Sequence, residues 1–312
     1  MKVLIIGAAG FVGSYLIRHL KEDLHWMVVA TKMPPETIAV PDIDIYDLDI
    51  LDKNSVVQLL QNVHPDAIIH LAAQSSVGLS WKNPDLTIDV NIKGSIHVLD
   101  SIRELDYKPR LLLIGSGEEY GHIMPGETPI NEHQILRPGN VYAATKACQN
   151  MLGKIYVDAY QMDVVSVRAF NHIGPNQAPL FVVADFCEQV AEIEAGLQEP
   201  VIYVGNLSLA RDFSDVRDVV RAYALLIQHG VAGETYNVGS GHAIKIEDIL
   251  QRILVNAKVT IEVRKDPAKF RPVDVPVIEA DTTKLRECTG WKPELSIDDT
   301  IVDVLEYWRG RV

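Results

Sequence analysis

Through its first half the chain alternates short, largely unbroken apolar runs with stretches whose apolar positions recur at helical spacing. Residues 3–6, 27–31, 67–71, 111–115 and 164–169 are the apolar runs. Strands covered on both faces look like this, and such strands belong to parallel sheets. Between them, residues 11–21, 53–62, 86–105 and 142–160 carry the helical pattern. Alternation of this kind predicts an α/β fold with a Rossmann-type, doubly wound parallel sheet. After about Phe170 the rhythm changes. Short strands at 201–204 and 259–263 are interleaved with helices at 215–228, 246–256 and 300–308, which predicts a smaller α/β C-terminal substrate lobe. Residues 1–170, with returning segments near 212–240, are expected to form the dinucleotide-binding domain, and 171–211 and 241–312 the lobe.

Composition narrows the class of partner. A length of 312 residues, 47% of them hydrophobic and 23% charged, suits a globular chain with a sizeable core. The formal net charge of −13 argues against nucleic acid, which is held mainly by basic surface. A phosphorylated small molecule stays open, because a few arginines and a helix N-terminus can hold one locally. Cys148, Cys187 and Cys288 show neither metal-ligand spacing nor an even disulfide count, so reduced thiols in a cytoplasmic protein and no metal are expected. The basic and apolar opening residues are interrupted by Gly7, Gly10 and Gly13, and no run nears the roughly 18 apolar residues of a membrane span. Neither a cleaved leader nor a membrane segment is expected.

Candidate chemistry begins where the first strand ends. Gly7-Ala8-Ala9-Gly10-Phe11-Val12-Gly13 follows that strand and opens the first helix. Glycines at this spacing permit a tight turn, close approach of backbone to a pyrophosphate, and close helix packing, with the helix N-terminus facing the phosphates. Enzymes that use NAD place an acid near the end of the second strand, on the adenosine ribose. Between Leu24 and Pro35 there is none; Thr31 and Lys32 stand there instead, and a lysine can pair with a 2′-phosphate. NADP(H) is therefore favoured, with NAD(H) possible.

Tyr142-Ala143-Ala144-Thr145-Lys146 puts a phenol and an ammonium one helical turn apart on one face. An adjacent cation favours a phenolate whose ordinary pKa is about 10, so Tyr142 is expected to exchange a proton near neutral pH. Ser116 closes the strand at 111–115 just upstream.

Together with His70-Leu71-Ala72-Ala73, Asn91-Ile92-Lys93-Gly94 and Arg211-Asp212-Phe213-Ser214-Asp215, these motifs make the chain resemble the extended short-chain dehydrogenase/reductase family over nearly its whole length. That resemblance implies Tyr142 as acid/base, Lys146 also holding the nicotinamide ribose, and Ser116 bonding the reacting oxygen. It implies cofactor contacts from Gly7, Gly10, Phe11, Val12, Gly13, Thr31, Lys32, Asp49, Ile50, Leu71, Ala72, Ala73 and His172. Asn171-His172-Ile173-Gly174-Pro175 and Gly205-Asn206-Leu207 look like the branch that acts on GDP-mannose derivatives, which implies a GDP-sugar substrate. Arg211 and Arg271 are then natural diphosphate ligands, being planar, permanently charged forks. Asn171, Val182, Asn206 and Asp274 correspond to family nucleotide contacts.

Within the branch, Gly115-Ser116-Gly117-Glu118-Glu119-Tyr120-Gly121 and the compact length look most like the reductases that convert GDP-4-dehydro-6-deoxy-D-mannose to GDP-D-rhamnose. Glu118 occupies the position of the dehydratases' basic glutamate, which keeps dehydration of GDP-mannose open as an alternative. Gly117 carries no functional group where dehydratases have Asp or Ser. Epimerisation of another nucleotide sugar, and a non-catalytic NADP-binding sensor, are the remaining alternatives. By analogy with the family, a homodimer is expected through the helices at 86–105 and 142–160.

Overall fold

In the computed structural model, which describes residues 1–124, 126–270 and 275–312, each of the apolar runs becomes a strand. β1 (Lys2–Ile6) turns through the glycine loop into α1 (Phe11–Arg18). β2 (Met27–Lys32) is followed by a short edge strand, β3 (Asp44–Asp47). The Asp52 carboxylate caps α2 (Lys53–Val63), which leads to β4 (Ala67–His70). Two short helices, α3 (Val77–Lys82) and α4 (Pro84–Ile88), run through a π-helical turn at Asp89–Gly94 into α5 (Ser95–Arg103). β5 (Arg110–Ser116), α6 (Val141–Tyr160) and β6 (Val164–Ala169) complete the first half.

The second half begins with β7 (Asn171–Ile173), α7 (Val182–Glu194), β8 (Val201–Val204) and β9 (Ala210–Asp215). The chain then returns to the large sheet through α8 (Val216–His229) and β10 (Thr235–Val238). β11 (Ala243–Lys245), α9 (Ile246–Val255), β12 (Glu262–Lys265), β13 (Val277–Ile278), α10 (Thr283–Thr289) and α11 (Ile297–Arg309) follow. Among the described residues no helix is long and apolar enough to cross a membrane.

The large sheet has seven strands in the order β10-β6-β5-β4-β1-β2-β3, all pairs parallel. Strand order runs outward in both directions from β1, so the sheet reverses between β1 and β4. Ligands of open α/β sheets bind beyond the carboxyl ends of the strands at such a reversal. Val3, Leu4, Ile5 and Ile6 are wholly buried because both faces are covered. α1 and α8 pack Leu16, Ile17, Val216 and Val219 against one face; α2 and α5 pack Val56, Leu60, Val98 and Leu99 against the other. Each such side chain contributes about 1.5–3 kcal/mol of burial. A separate cluster of Phe186, Val190, Ile249 and Val304 joins α7, α9 and α11 in the lobe.

Several elements differ from the pattern reading. The helices expected at 11–21 and 86–105 are both interrupted, by π-helical stretches at His19–Asp23 and Asp89–Gly94. At the second, a Cβ on Gly94 would lie 2.4 Å from Ile50 Cδ1, so the irregular turn is packed hard against the loop after β3. The strand expected at 259–263 lies at Glu262–Lys265, where its ladder with β8 sets the register. The pattern does not mark β3, because Asp44, Ile45, Tyr46 and Asp47 are all exposed and present no buried face. α7 is likewise absent from the pattern reading, although its buried positions at Val183, Phe186, Cys187 and Val190 follow helical spacing.

Candidate active site

The glycine loop shows why each glycine is there. Gly7 has φ +81, and a Cβ on it would stand 2.5 Å from Ala72 Cα. On Gly13 a Cβ would lie 2.0 Å from Ala8 O, where α1 packs onto the loop. Gly10 is different. A Cβ there meets nothing within 4 Å, and Gly10 lines a cavity at the helix N-terminus. The first and third glycines serve protein packing, while the second leaves space on the ligand side. Thr31 supports the loop from β2. Its hydroxyl accepts the Gly7 N–H at 3.0 Å, and its carbonyl accepts from Ala8 at 2.8 Å.

The cavity has a volume of about 930 Å³ and runs from this loop along the strand ends into the lobe. It brings together every candidate catalytic, cofactor-binding and substrate-binding residue that the structure describes. Arg271 and Asp274 lie outside the described residues. At the end of the cavity beside β2 and β3 stand Lys32, Glu36 and Asp49, with Ile50 buried behind them. Here the structure corrects a simple reading. The second strand lacks an acid, but β3 supplies one in parallel register: Lys32 Nζ sits 2.5 Å from Asp47 Oδ1. Leu71 and Ala72 donate their backbone N–H groups to Ile6 O at 2.9 Å, holding the β4 end beside the glycine loop.

At the reaction end, Ser116 terminates β5, and Tyr142 and Lys146 rise from the first turns of α6. Asn140 caps that helix through Ala143 N at 2.8 Å, which sets where its first turn begins. Tyr142 is 9% exposed and Lys146 4%, and the Ser116 side chain acts on the Tyr142 phenol to lower its pKa. The expectation that Lys146 would draw the phenol down is not met. Burial pushes Tyr142 well above the ordinary phenol value, opposed by Ser116 and reinforced by the Glu118 and Glu119 charges. The reason is geometric. Lys146 Nζ donates to Ile114 O at 2.8 Å and Gln149 Oε1 at 3.0 Å, the acceptors that a buried ammonium requires. Burial also pulls Lys146 itself down to about 8, against the Glu119 charge. Tyr142 is thus held as a protonated phenol, the form that donates.

Glu118 lines the cavity beside Ser116, and its Oε2 accepts from Asn140 Nδ2 at 3.3 Å. His172 is half-buried, and desolvation lowers its pKa; its Nδ1 pairs with Phe170 O at 3.0 Å. Its ring stacks on Phe11 with 6.1 Å between centroids. Toward the lobe, Asn171, Val182, Asn206 and Arg211 line the same space, with Arg211 Nη1 on the Val275 carbonyl at 2.7 Å.

Sequence reading missed Tyr223. It lies on the buried face of α8, fully enclosed, with a place in the cavity wall and a hydroxyl that has no hydrogen-bond partner among the described residues. On a helical pattern it counts only as another core position. Lys269, paired with Asp185 at 3.0 Å, and the exposed Leu180 and Phe181 are further wall residues that no motif marks.

Comparison with known proteins agrees with this geometry. The family model described as GDP-mannose 4,6 dehydratase matches residues 4–304. The GDP-6-deoxy-D-mannose reductase of Pseudomonas aeruginosa is 33% identical over 311 residues, covering 100% of this chain and 98% of that protein. Among solved structures, RMD from Pseudomonas aeruginosa complexed with NADPH superposes with a TM-score of 0.89 at 32% identity, covering 100% of this chain and 99% of that one. The UDP-glucose 4-epimerase of Thermus thermophilus, in complex with NAD, gives 0.89 at 30% identity with 100% of each chain covered.

Proposed function

This chain belongs to the GDP-mannose 4,6-dehydratase family and is an enzyme of the NAD(P)-dependent extended short-chain dehydrogenase/reductase class, and from that premise we propose that it reduces the C4 ketone of GDP-4-dehydro-6-deoxy-D-mannose to give GDP-D-rhamnose. NADPH is the favoured reductant and NADH the possible one. The observation that carries the reading is Tyr142. A buried phenol kept protonated, sharing the wall of the glycine-loop cavity with Ser116, is a proton donor set for a developing alkoxide.

When bound, the reduced dinucleotide supplies the hydride, and the balance is ketone plus hydride plus proton giving alcohol. Ser116 holds the ketone oxygen, and Tyr142 passes its proton to that oxygen as negative charge builds on it. Lys146, a buried cation one turn further along α6, would hold the nicotinamide ribose. Gly10 and the α1 N-terminus would hold the pyrophosphate, and Lys32 the 2′-phosphate. Arg211, with Arg271, would hold the sugar diphosphate, Asn171, Val182, Asn206 and Asp274 the nucleoside, and His172 with Phe11 one side of the nicotinamide. We assign residues 1–170 and 212–240 to the dinucleotide and residues 171–211 and 241–312 to the sugar nucleotide.

Dehydration of GDP-mannose is the second reading, kept because the Glu118 side chain lines the reaction end of the cavity. It is weakened at Gly117, where a Cβ would already stand 3.1 Å from the Phe170 ring, leaving little room for a further acid. Separate incubations with GDP-mannose and with its 4-keto-6-deoxy derivative, read by mass, decide between them. Gain of two hydrogens on the keto sugar supports the reductase, and loss of water from GDP-mannose supports the dehydratase. We also place a homodimer contact on the α4, α5 and α6 helices, where Ile88, Met151 and Ile155 are 45%, 61% and 54% exposed. Met151→Asp should shift the sedimenting species to monomer, and an unchanged sedimentation coefficient argues against that face.

A further inference from the structure

Behind Ser116, Tyr142 and Lys146 lies a buried carboxylate that the chemistry above does not use. Glu119 is fully enclosed and is held by several elements at once. Its Oε1 accepts the Ser116 backbone N–H at 2.8 Å, at the end of β5. Asn150, one turn beyond Lys146 on α6, donates from Nδ2 to both oxygens, at 2.8 and 2.6 Å. Arg168 Nε, on β6, donates to Oε2 at 3.0 Å. The backbone makes room for this: a Cβ on Gly115 would stand 2.2 Å from Glu119 Oε1, so β5 carries glycine where the carboxylate passes. Arg168 is anchored in turn, through Nη1 to Tyr120 Oη at 3.0 Å and to Glu132 O at 3.1 Å. Every partner of the carboxylate is a donor. Burial raises its pKa, but Arg168 and these donors favour the ionised form, and none accepts a carboxylic proton.

We infer that Glu119 is a positioning residue for this trio, tying the strand end that carries Ser116 to the helix that carries Tyr142 and Lys146, and setting a buried negative charge between them. The inference rests on the catalytic reading of the trio proposed above.

Other groups around Lys146 do not supply that charge. His70, from β4, is buried and neutral, lowered to about 3 by burial and by Lys146 itself. Glu118 acts on Tyr142, Arg168 is engaged by Glu119, and Asp89 and Lys93 of the π-helical turn are exposed. Tyr142 and Tyr223 are both raised, hence uncharged phenols. The sign of the effect follows. Lys146 is lowered by burial to about 8, so work that needs its ammonium is complete below that pH and lost above it. Without the Glu119 charge the loss begins at lower pH.

Two substitutions separate the charge from the tie. Glu119→Gln keeps an oxygen for Ser116 N–H and Asn150 but removes the charge; Glu119→Asp keeps the charge and withdraws it by one methylene. With NADPH and the keto sugar present, kcat against pH and the melting temperature are measured for each. In parallel, Lys146 is titrated by NMR of protein carrying ¹³C-labelled lysine, its signal assigned through Lys146→Arg. Glu119→Gln should move the basic limb and the Lys146 titration down by about one pH unit, on the order of a tenfold loss of ammonium above the midpoint. Glu119→Asp should leave both midpoints in place and lower kcat roughly five- to tenfold, through misplacement of Ser116 against Tyr142. Because Glu119→Gln leaves Arg168 unpaired, Glu119→Gln with Arg168→Gln is prepared alongside, and should show the same downward shift if the single variant does not fold. A folded variant whose Lys146 titrates as in the parent overturns the charge role, and a Glu119→Asp enzyme with parental kcat overturns the tie. A parent that turns over no nucleotide sugar while its Lys146 still shifts in Glu119→Gln would instead overturn the catalytic reading.

Discussion

The two ends of the cavity hold their charges in opposite ways. At the reaction end, Tyr142, Lys146 and Glu119 are buried on α6 and the turn that follows β5, where desolvation opposes charge and the fixed groups around each decide how far. At the adenosine end, Lys32 faces Asp47 on the edge of the sheet, and the Asp47 side chain is 61% exposed. A buried charge is governed by the acceptors and donors fixed around it, whereas an exposed pair competes with water and salt and contributes about 0–1 kcal/mol. The lesson is one of division. On the roles proposed above, chemistry would rest on rigid, dry contacts that small changes break, and cofactor preference on a wet contact that small changes tune.

That contrast can be broken at several points. The largest effect is expected from Tyr142→Phe, which removes the proton donor while leaving the ring in place. Turnover of the keto sugar nucleotide should fall on the order of 10²–10⁴-fold with little change in melting temperature; parental turnover would discard the assignment. Next is Lys32→Glu. Opposing a 2′-phosphate with a carboxylate, with Asp47 already beside it, should weaken NADPH binding roughly 10–100-fold in a fluorescence titration and NADH only slightly. Equal weakening of both would refute the 2′-phosphate role.

A smaller effect in the other direction is expected from Asp47→Asn, which frees Lys32 and removes a repelling charge. NADPH should bind roughly three- to fivefold more tightly and NADH unchanged, in keeping with an exposed ion pair. The finest test uses salt. Approaching 1 M, where the screening length falls to about 3 Å, the preference for NADPH over NADH should narrow, while the basic limb set by Lys146 should hold its midpoint. A limb that moves as much as the preference would erase the distinction between the two ends.

Much of this was legible in the residue pattern. The unbroken apolar runs located β1, β2, β4, β5 and β6, because strands covered on both faces need apolar residues at every position. The glycine spacing located the loop, since only glycine tolerates the turn at Gly7 and the contact at Gly13. The Tyr142 and Lys146 spacing placed both on one face of α6, and the structure brings them to one cavity with Ser116. Less was legible where a feature has no local signature. β3 is an exposed edge of mixed residues, and Tyr223 looks like any buried position of an amphipathic helix.

What the chain's own order of residues determined was the sheet, the turn that opens α1, and which side chains face the same way along one helix. These depend on backbone geometry and on which face is buried, and both repeat within a few residues. Only the tertiary structure decided how those groups are charged. It set Asp47 against Lys32 from a neighbouring strand, turned Lys146 toward Ile114 and Gln149, and packed Glu119 beneath Gly115 against Arg168. Electrostatic energies depend on distance through space and on exclusion of water, and neither is written in the spacing of residues along a chain.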